Sequence, residues 1–435
     1  MQADSDKTSY WRHLASDPRR YGAMIGLGFS AGIPFLLVYS TQSAWLSASG
    51  VPIETIGLMS ELTIAYKLKF LWAPFLDKYD PPILSGVLGR RRAWIVVSQI
   101  LVMLTLAGVA FGDPARWLAW TVAFSLALGV AGATQDVVID GWRITAAAPG
   151  EQSVMTAFAE FGYRFGVLLA GAGALYLADW YGWRVSYLCM AAFMTVGAVC
   201  AFVAPEPASD LIVRREHPGF VATVVAPFRE LVGRLGALAA PILIMIAGFR
   251  MPGYLSGAMA MPLFKSLQYS DSQIATVTKV YGFGLALAAT FFASYVVRRI
   301  GMLRSLLAGT VAGSASHLSL AWLAGHGGAG EFWPFAIAVG VDGFAYTFAQ
   351  IVLIIYMSSL SSSEYAASEY AFLTSLCALP GSLLAGASGF IVARVGFEGF
   401  FVGTSLIGIP VALLCWWLWR VHDRAEKVLA QPEPE

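Results

Sequence analysis

The chain has 435 residues, of which 57% are hydrophobic and only 13% charged, about half the charge of an average soluble domain. Its mean hydropathy of +0.66 and its long apolar runs predict a helical integral membrane protein; a β-barrel, built from short alternating strands, gives no such runs. The net charge of +1 comes without a basic domain, so nucleic acid is not an expected partner. The four cysteines, Cys189, Cys200, Cys377 and Cys415, lie inside apolar segments, with no spacing that suggests a metal site or a disulfide framework.

Residues 1–21 read as a polar tail with Lys7, Arg12, Arg19 and Arg20 and no cleavable signal peptide. Spans are then predicted at about 22–47, 55–76, 93–112, 117–142, 153–178 and 184–204. The first holds Gly22, Gly26, Gly28, Gly32 and Pro34, which permit close helix approach and a bend. The second carries Glu61, Lys67 and Lys69 and leads into a charged loop from Asp77 to Arg92. A linker, 205–236, opens on Pro205-Glu206-Pro207 and includes Arg214, Arg215 and Glu216. Its mixed stretch 219–235 predicts a helix lying on the membrane surface. Six further spans follow at about 237–264, 272–297, 302–325, 332–360, 365–393 and 397–420. Arg250 and Pro252, then Lys279, His317, and Asp342 with Gln350 punctuate the first four of these. A polar tail, 421–435, ends Pro432-Glu433-Pro434-Glu435 and reads as disordered. The fold class is therefore all-α integral membrane: twelve spans in two six-helix bundles, 22–204 and 237–420.

Lys and Arg set the expected orientation. With the N-terminus inside, the inner loops hold Lys7, Arg12, Arg19, Arg20, Lys78, Arg90, Arg91, Arg92, Arg214, Arg215, Arg229, Arg234, Arg298, Arg299, Arg304, Arg420, Arg424 and Lys427. The outer loops hold only Arg116, Arg184, Lys265 and Arg394. Both termini are thus expected in the cytoplasm.

Ionisable residues inside hydrocarbon are costly and mark a site or a pathway. The densest group runs from Gln135 to Gly166, with Asp136, Asp140, Trp142 and Arg143 on one span and Glu160, Tyr163 and Arg164 on the next. Asp136 and Asp140 are four apart, and Arg143 follows three later, so they share a helix face. At about 1.5 Å per residue, Asp136 and Glu160 fall in the inner half, with Asp140 and Arg143 near the inner surface. Arg164, Lys67, Arg250 and Asp342 fall near the middle; Glu61 and Lys279 lie further out. Lys67, Arg164, Arg250 and Lys279 form a cationic set suited to an anionic solute, and Arg164 can clamp a carboxylate or phosphate with two parallel hydrogen bonds. Glu160 is either a member of that site or the fixed partner of Arg164. Proton coupling needs a carboxyl whose proton affinity responds to burial and to a neighbouring cation; Asp136 fits best, then Asp342 and Glu61. Asp77, Asp140, Arg143, Arg90 and Arg91 read as an inner-surface latch. His317 reads as a packing residue, and most intramembrane tyrosines and tryptophans as packing or belt residues, with Tyr163 among those that can stack on sugar rings.

Six spans, a charged linker and six more suggest a duplication. The loop after the second span, Asp77-Lys78 through Gly89-Arg90-Arg91-Arg92, has its counterpart in Arg298-Arg299, Gly301 and Arg304. These loops resemble the signature loop of the major facilitator superfamily, which implies two parallel repeats with substrate bound between them. Gly32-Ile33-Pro34, Gln42-Ser43-Ala44-Trp45, Lys69 to Pro74, Pro81-Pro82, Gln135-Asp136, Gly162-Tyr163-Arg164 and Ala204 to Pro207 resemble the AmpG-type muropeptide permeases, as do Lys279 and Ser368-Glu369-Tyr370-Ala371-Phe372. The resemblance implies a proton-driven importer of N-acetylglucosaminyl-anhydro-N-acetylmuramyl peptides in the bacterial inner membrane, without a cofactor and as a monomer among lipids. It adds Gln42 to the expected substrate residues. One departure stands out: Arg250 is followed by Met251-Pro252-Gly253, where the family carries an acid. A carrier of another anionic solute, such as acetyl-CoA, remains the alternative. An enzyme is not expected: Asp136 and Asp140 have no second acidic cluster to complete a magnesium–diphosphate site, and no nucleotide loop or nucleophilic triad is present.

Overall fold

The computed structural model describes residues 12, 15–207, 220–328 and 331–429. Lys7, Arg214, Arg215, Glu216 and the Pro432–Glu435 tail lie outside the described residues. The described chain is helical throughout. Its first six spans are α1, Pro18–Ala48; α2, in the pieces Ile53–Ser60, Ile64–Leu68 and Ala73–Lys78; α3, Arg90–Ala110; α4, Leu118–Ala146; α5, Pro149–Tyr181; and α6, Trp183–Val203. The linker contributes α7, Phe220–Leu235. The remaining spans are α8, in the pieces Ala239–Phe249 and Met251–Ser266; α9, Ser272–Ile300; α10, Met302–His326; α11, Phe332–Leu360; α12, Ala366–Ala385; and α13, Ser388–Leu429.

Among the described residues, 10 helices are long and apolar enough to cross a membrane, not twelve. The second predicted span fails the test because it is broken. Tight 3₁₀ turns at Glu61–Thr63 and Lys69–Leu71 interrupt it, and the helix restarts at Ala73 with Pro74 in its first turn, where a missing N–H costs nothing. The eleventh is divided: α12 stops at Ala385, and α13 carries the rest of it before bending at Gly396, φ 74°. The linker helix and the seventh span run on as one stretch, Thr223–Ser266.

Four glycines mark the duplication. Gly89 precedes α3, Gly182 precedes α6, Gly301 precedes α10, and Gly396 precedes the last span, with φ of 78°, 83°, 84° and 74°. Each sits at the same kind of corner, the third and sixth spans of each half starting from a left-handed backbone that side chains with a Cβ disfavour.

The chain groups into two compact units: one is the chain up to Leu231 with Ser358–Ser375, the other Val232–Met357 with Leu376 onward. In the first, α1 and α5 interlock through small residues. An added Cβ at Gly28 would meet Ala159 O at 2.2 Å, one at Gly32 Tyr163 O at 2.2 Å, one at Gly162 Ile25 O at 2.0 Å, and one at Gly166 Phe29 O at 2.1 Å. Glycine at every fourth position on both helices brings the two backbones into contact, the usual way membrane helices gain dispersion energy without a hydrophobic driving force. A polar seam runs alongside, where Ser30 Oγ accepts from Gln99 Nε2 at 3.0 Å and Gln135 Nε2 at 3.3 Å. The outer surface is apolar: Leu104, Trp117, Trp180, Trp333, Phe390 and Leu413 are each at least 60% exposed, the reverse of a soluble protein and the proper face toward lipid.

Gly162→Leu therefore forces a side chain into a backbone carbonyl. It is expected to cost more than the ~1–3 kcal/mol of ordinary overpacking, while Gly22→Ala, with open space around it and inside a helix, is expected to hold or raise the thermal midpoint. Thermal unfolding of the purified variants in detergent checks this.

Candidate transport site and the α2–α3 loop cluster

In the first unit the α2–α3 loop folds around one carboxylate. Asp77 is fully buried, and its Oδ1 lies 2.8 Å from Arg91 Nη1, itself buried. Its Oδ2 accepts from Ser368 N at 2.7 Å and Ser368 Oγ at 2.5 Å, in the first turn of α12, where the helix dipole favours an anion. Arg90 donates to the Asp77 carbonyl. The start of the linker completes this corner. Glu206 accepts from the backbone of Arg91 at 3.0 Å and Arg92 at 3.3 Å, capping α3, and pairs with Arg92 Nε at 3.4 Å. Trp142 Nε1 donates to Pro205 O at 3.0 Å.

Arg143, expected in the same latch, forms a second cluster. It pairs with Asp140 at 3.2 Å, donates to Thr156 Oγ1 at 2.8 Å and Ser358 Oγ at 3.0 Å, and lies 5.1 Å from the centroid of the Tyr370 ring. Glu369, fully buried, accepts from Ser362 N at 2.6 Å. Phe372 packs edge-on against Phe228 of α7 at 4.9 Å and against Phe70 at 6.2 Å. Four of the residues in the stretch 368–372 thus hold a specific contact. α7 is not a free surface helix, since Thr223, Pro227 and Leu231 on it are buried. Its Val221, Val225 and Val232 stay exposed.

Deeper in the same unit Asp136 lies 3.9 Å from Lys69 Nζ, the carboxylate 23% exposed and the lysine 9%. Asp140 and Glu160 are the next charges that act on Asp136, and Tyr66 lies within electrostatic reach of both Asp136 and Tyr163. Lys69 owes its position to the 3₁₀ turn Lys69–Leu71, which turns it off the line of the preceding helix. Trp72 Nε1 donates to Thr134 Oγ1 at 3.0 Å and ties that turn to α4. The stretch Gln135-Asp136 divides its work: Gln135 is buried in the helix seam while Asp136 faces Lys69. Glu160, Tyr163 and Arg164 are half-buried on α5 and each has further partners. Gln42, expected at the substrate, is buried and donates to Ser125. Among the described residues Glu61 and Lys67 make no ion pair; Glu61 is exposed and Lys67 half-buried.

In the second unit Arg250 stands at the joint between the two pieces of α8. Tyrosines occupy the place of the missing acid: Tyr346 Oη lies 3.4 Å from Arg250 Nη2, and the guanidinium lies 5.1 Å from the Tyr254 ring centroid. Beside it is a small cavity of about 20 Å³ bounded by Gly253, Gly309, Gly313, Tyr346 and Gln350 among others, room for about one water. Asp342 accepts from Ser316 Oγ at 2.9 Å and lies 4.0 Å from Nε2 of the buried His317. His317, read from sequence as packing, is thus beside the one intramembrane acid of α11. Lys279, on the π-helical turn Thr276–Tyr281, is exposed. Lys69, Ser368, Glu369 and Glu206 received no role from the sequence. Lys69 was legible as a charge within a span, whereas Glu206 and Ser368 to Phe372 entered only as parts of the linker and of the family resemblance, because their partners lie far along the chain.

These elements define a polytopic helical carrier protein. The family model described as Major Facilitator Superfamily matches residues 23–383, and the chain belongs to that superfamily. The "Anhydromuropeptide permease" of Escherichia coli strain K12 is 28% identical over 417 residues, 94% of this chain and 82% of that protein. "Putative transporter AmpG 4" of Rickettsia conorii is 29% identical over 398 residues, 90% of this chain and 94% of that protein. Among solved structures, the proton:xylose symporter XylE superposes with TM-score 0.65 at 15% identity, covering 91% of this chain and 94% of that one. The human organic anion transporter MFSD10 superposes with TM-score 0.68 at 17% identity, covering 92% and 99%. The superpositions establish the fold. The chain is a transporter and not an enzyme.

Arg91→Ala strands the buried Asp77 carboxylate and is expected to destabilise the protein by about 3–5 kcal/mol, the cost of breaking one side of a buried pair. Asp77→Asn with Arg91→Met, which removes both charges, restores part of that loss. Thermal unfolding of the three proteins in one detergent is the measurement.

Proposed function

We propose that this chain is a proton-coupled importer of anhydromuropeptides, carrying N-acetylglucosaminyl-anhydro-N-acetylmuramyl peptides from the periplasm across the bacterial inner membrane, with both termini in the cytoplasm. The observation that carries the reading is the Asp136–Lys69 pair. At 3.9 Å it is too long for a hydrogen bond, so the carboxylate is held by charge alone and stays partly open. An anionic cargo that draws Lys69 to itself weakens that hold and lets Asp136 take a proton. Movement of cargo and proton is thereby linked through one lysine. The relatives' names support the cargo; the cationic residues Lys67, Arg164, Arg250 and Lys279 suit its carboxylates, and Tyr163 suits its sugars. Asp342, with Ser316 and His317, is the second candidate for a proton, and Glu61 the third. The Asp77–Arg91–Ser368 and Asp140–Arg143–Ser358 clusters act as the latch that must part for cargo to leave on the inner side.

The test is uptake of the labelled peptide into proteoliposomes with an imposed pH gradient. Wild type is expected to concentrate it, and an uncoupler to stop this. Asp136→Asn is expected to lose gradient-driven accumulation while keeping exchange of labelled for unlabelled peptide. Arg164→Lys, which gives up the bidentate geometry, is expected to raise KM about tenfold, a loss of about 1.4 kcal/mol. Accumulation indifferent to the gradient ends the coupling claim; stabilisation by acetyl-CoA but not by the muropeptide in a thermal-shift panel ends the cargo claim.

A further inference from the structure

The second unit holds a charged cleft lined by none of the residues assigned to transport above. It has a volume of about 250 Å³ and lies where α9 ends and α10 begins, walled by Ile300 to Arg304 on one side and by Trp419, His422 and Asp423 of α13 on the other. Two guanidinium groups share one indole. Arg304 and Arg420 each lie 5.3 Å from the centroid of Trp419, and Arg420 lies 5.5 Å from that of Trp416. Nearby, Arg299 lies 5.3 Å from the Tyr295 ring. An aromatic face holds a guanidinium in place without neutralising it, and the N–H donors, which lie in the guanidinium plane, are not consumed by the ring. Arg304 and Asp423 line the cleft, and Arg420, on the same Trp419 indole, brings a second guanidinium to its edge.

The surroundings decide what the anion is. Ile300, Leu413, Trp416 and Trp417 are 43%, 60%, 45% and 42% exposed, an apolar strip that runs from the cleft along the lipid-facing side of α13. A free phosphate has no use for such a strip, whereas a lipid has a phosphodiester for the arginines and acyl chains for the strip. We propose that this cleft binds the headgroup of an anionic phospholipid, with Arg304 and Arg420 on its phosphodiester and its chains along Leu413, Trp416 and Trp417. The site does not depend on which solute the protein carries.

Native mass spectrometry of the full-length detergent-purified protein tests it, with phosphatidylglycerol or phosphatidylcholine added at equal concentration. An arginine near an anionic lipid surface is worth about 1 kcal/mol, or about fivefold, so Arg304→Gln with Arg420→Gln is expected to lose roughly 25-fold in preference for phosphatidylglycerol. Arg116→Gln, at an exposed loop elsewhere, is expected to keep it. Photoactivatable phosphatidylglycerol on the wild type gives a readout independent of any variant: cross-links are expected in residues 295–304 or 413–424. Equal retention of the two lipids by wild type, an undiminished preference in the double variant, cross-links confined to other helices, or displacement of the lipid by inorganic phosphate would each overturn the proposal.

Discussion

The first unit is organised by the need to satisfy one carboxylate that has no water. Asp77 is fully buried, and such a charge is tolerated only when cations and donors surround it. Arg91 supplies the cation and Ser368 supplies both a backbone and a side-chain donor. That single requirement draws the α2–α3 loop and the start of α12 together. Glu206 then caps α3 at the same corner, so the chain just past α6 is tied to Arg91, which also holds Asp77, and to Arg92. The linker helix adds an apolar contact through Phe228 and Phe372.

The charges of the unit sort by how completely they are held. Asp77 and Arg143 are enclosed, each with several short partners. Asp136 is partly open and has one cation at 3.9 Å. A saturated charge resists change, because every partner must be replaced at once. A loosely held one responds to whatever else approaches.

The second unit solves the problem of a buried cation differently. Arg250 has no acid beside it in sequence, and Tyr346 and Tyr254 hold it through a hydroxyl and a ring face. Neither partner carries charge. Asp342 is set apart with Ser316 and His317. The two halves thus share their corners, at Gly89, Gly182, Gly301 and Gly396, but not their polar interiors.

The membrane class and most of the spans were legible because hydropathy is local: a run of apolar residues identifies a helix in lipid whatever it packs against. Close approach at Gly28 and Gly32 and the shared face of Asp140 and Arg143 were legible for the same reason, since helix periodicity fixes faces; Gly22, read with the other glycines, stands instead in open space. The broken second span and the divided eleventh were not, because 3₁₀ turns at Glu61 and Lys69 and the bend at Gly396 depend on neighbours. Lys69 beside Asp136, Ser368 on Asp77, Glu206 on α3 and His317 beside Asp342 join residues far apart in the chain or on different helices. Which charges must be rescued from hydrocarbon can be read from their place within apolar runs; which partner rescues each follows from the helix faces that meet, and those are set by packing.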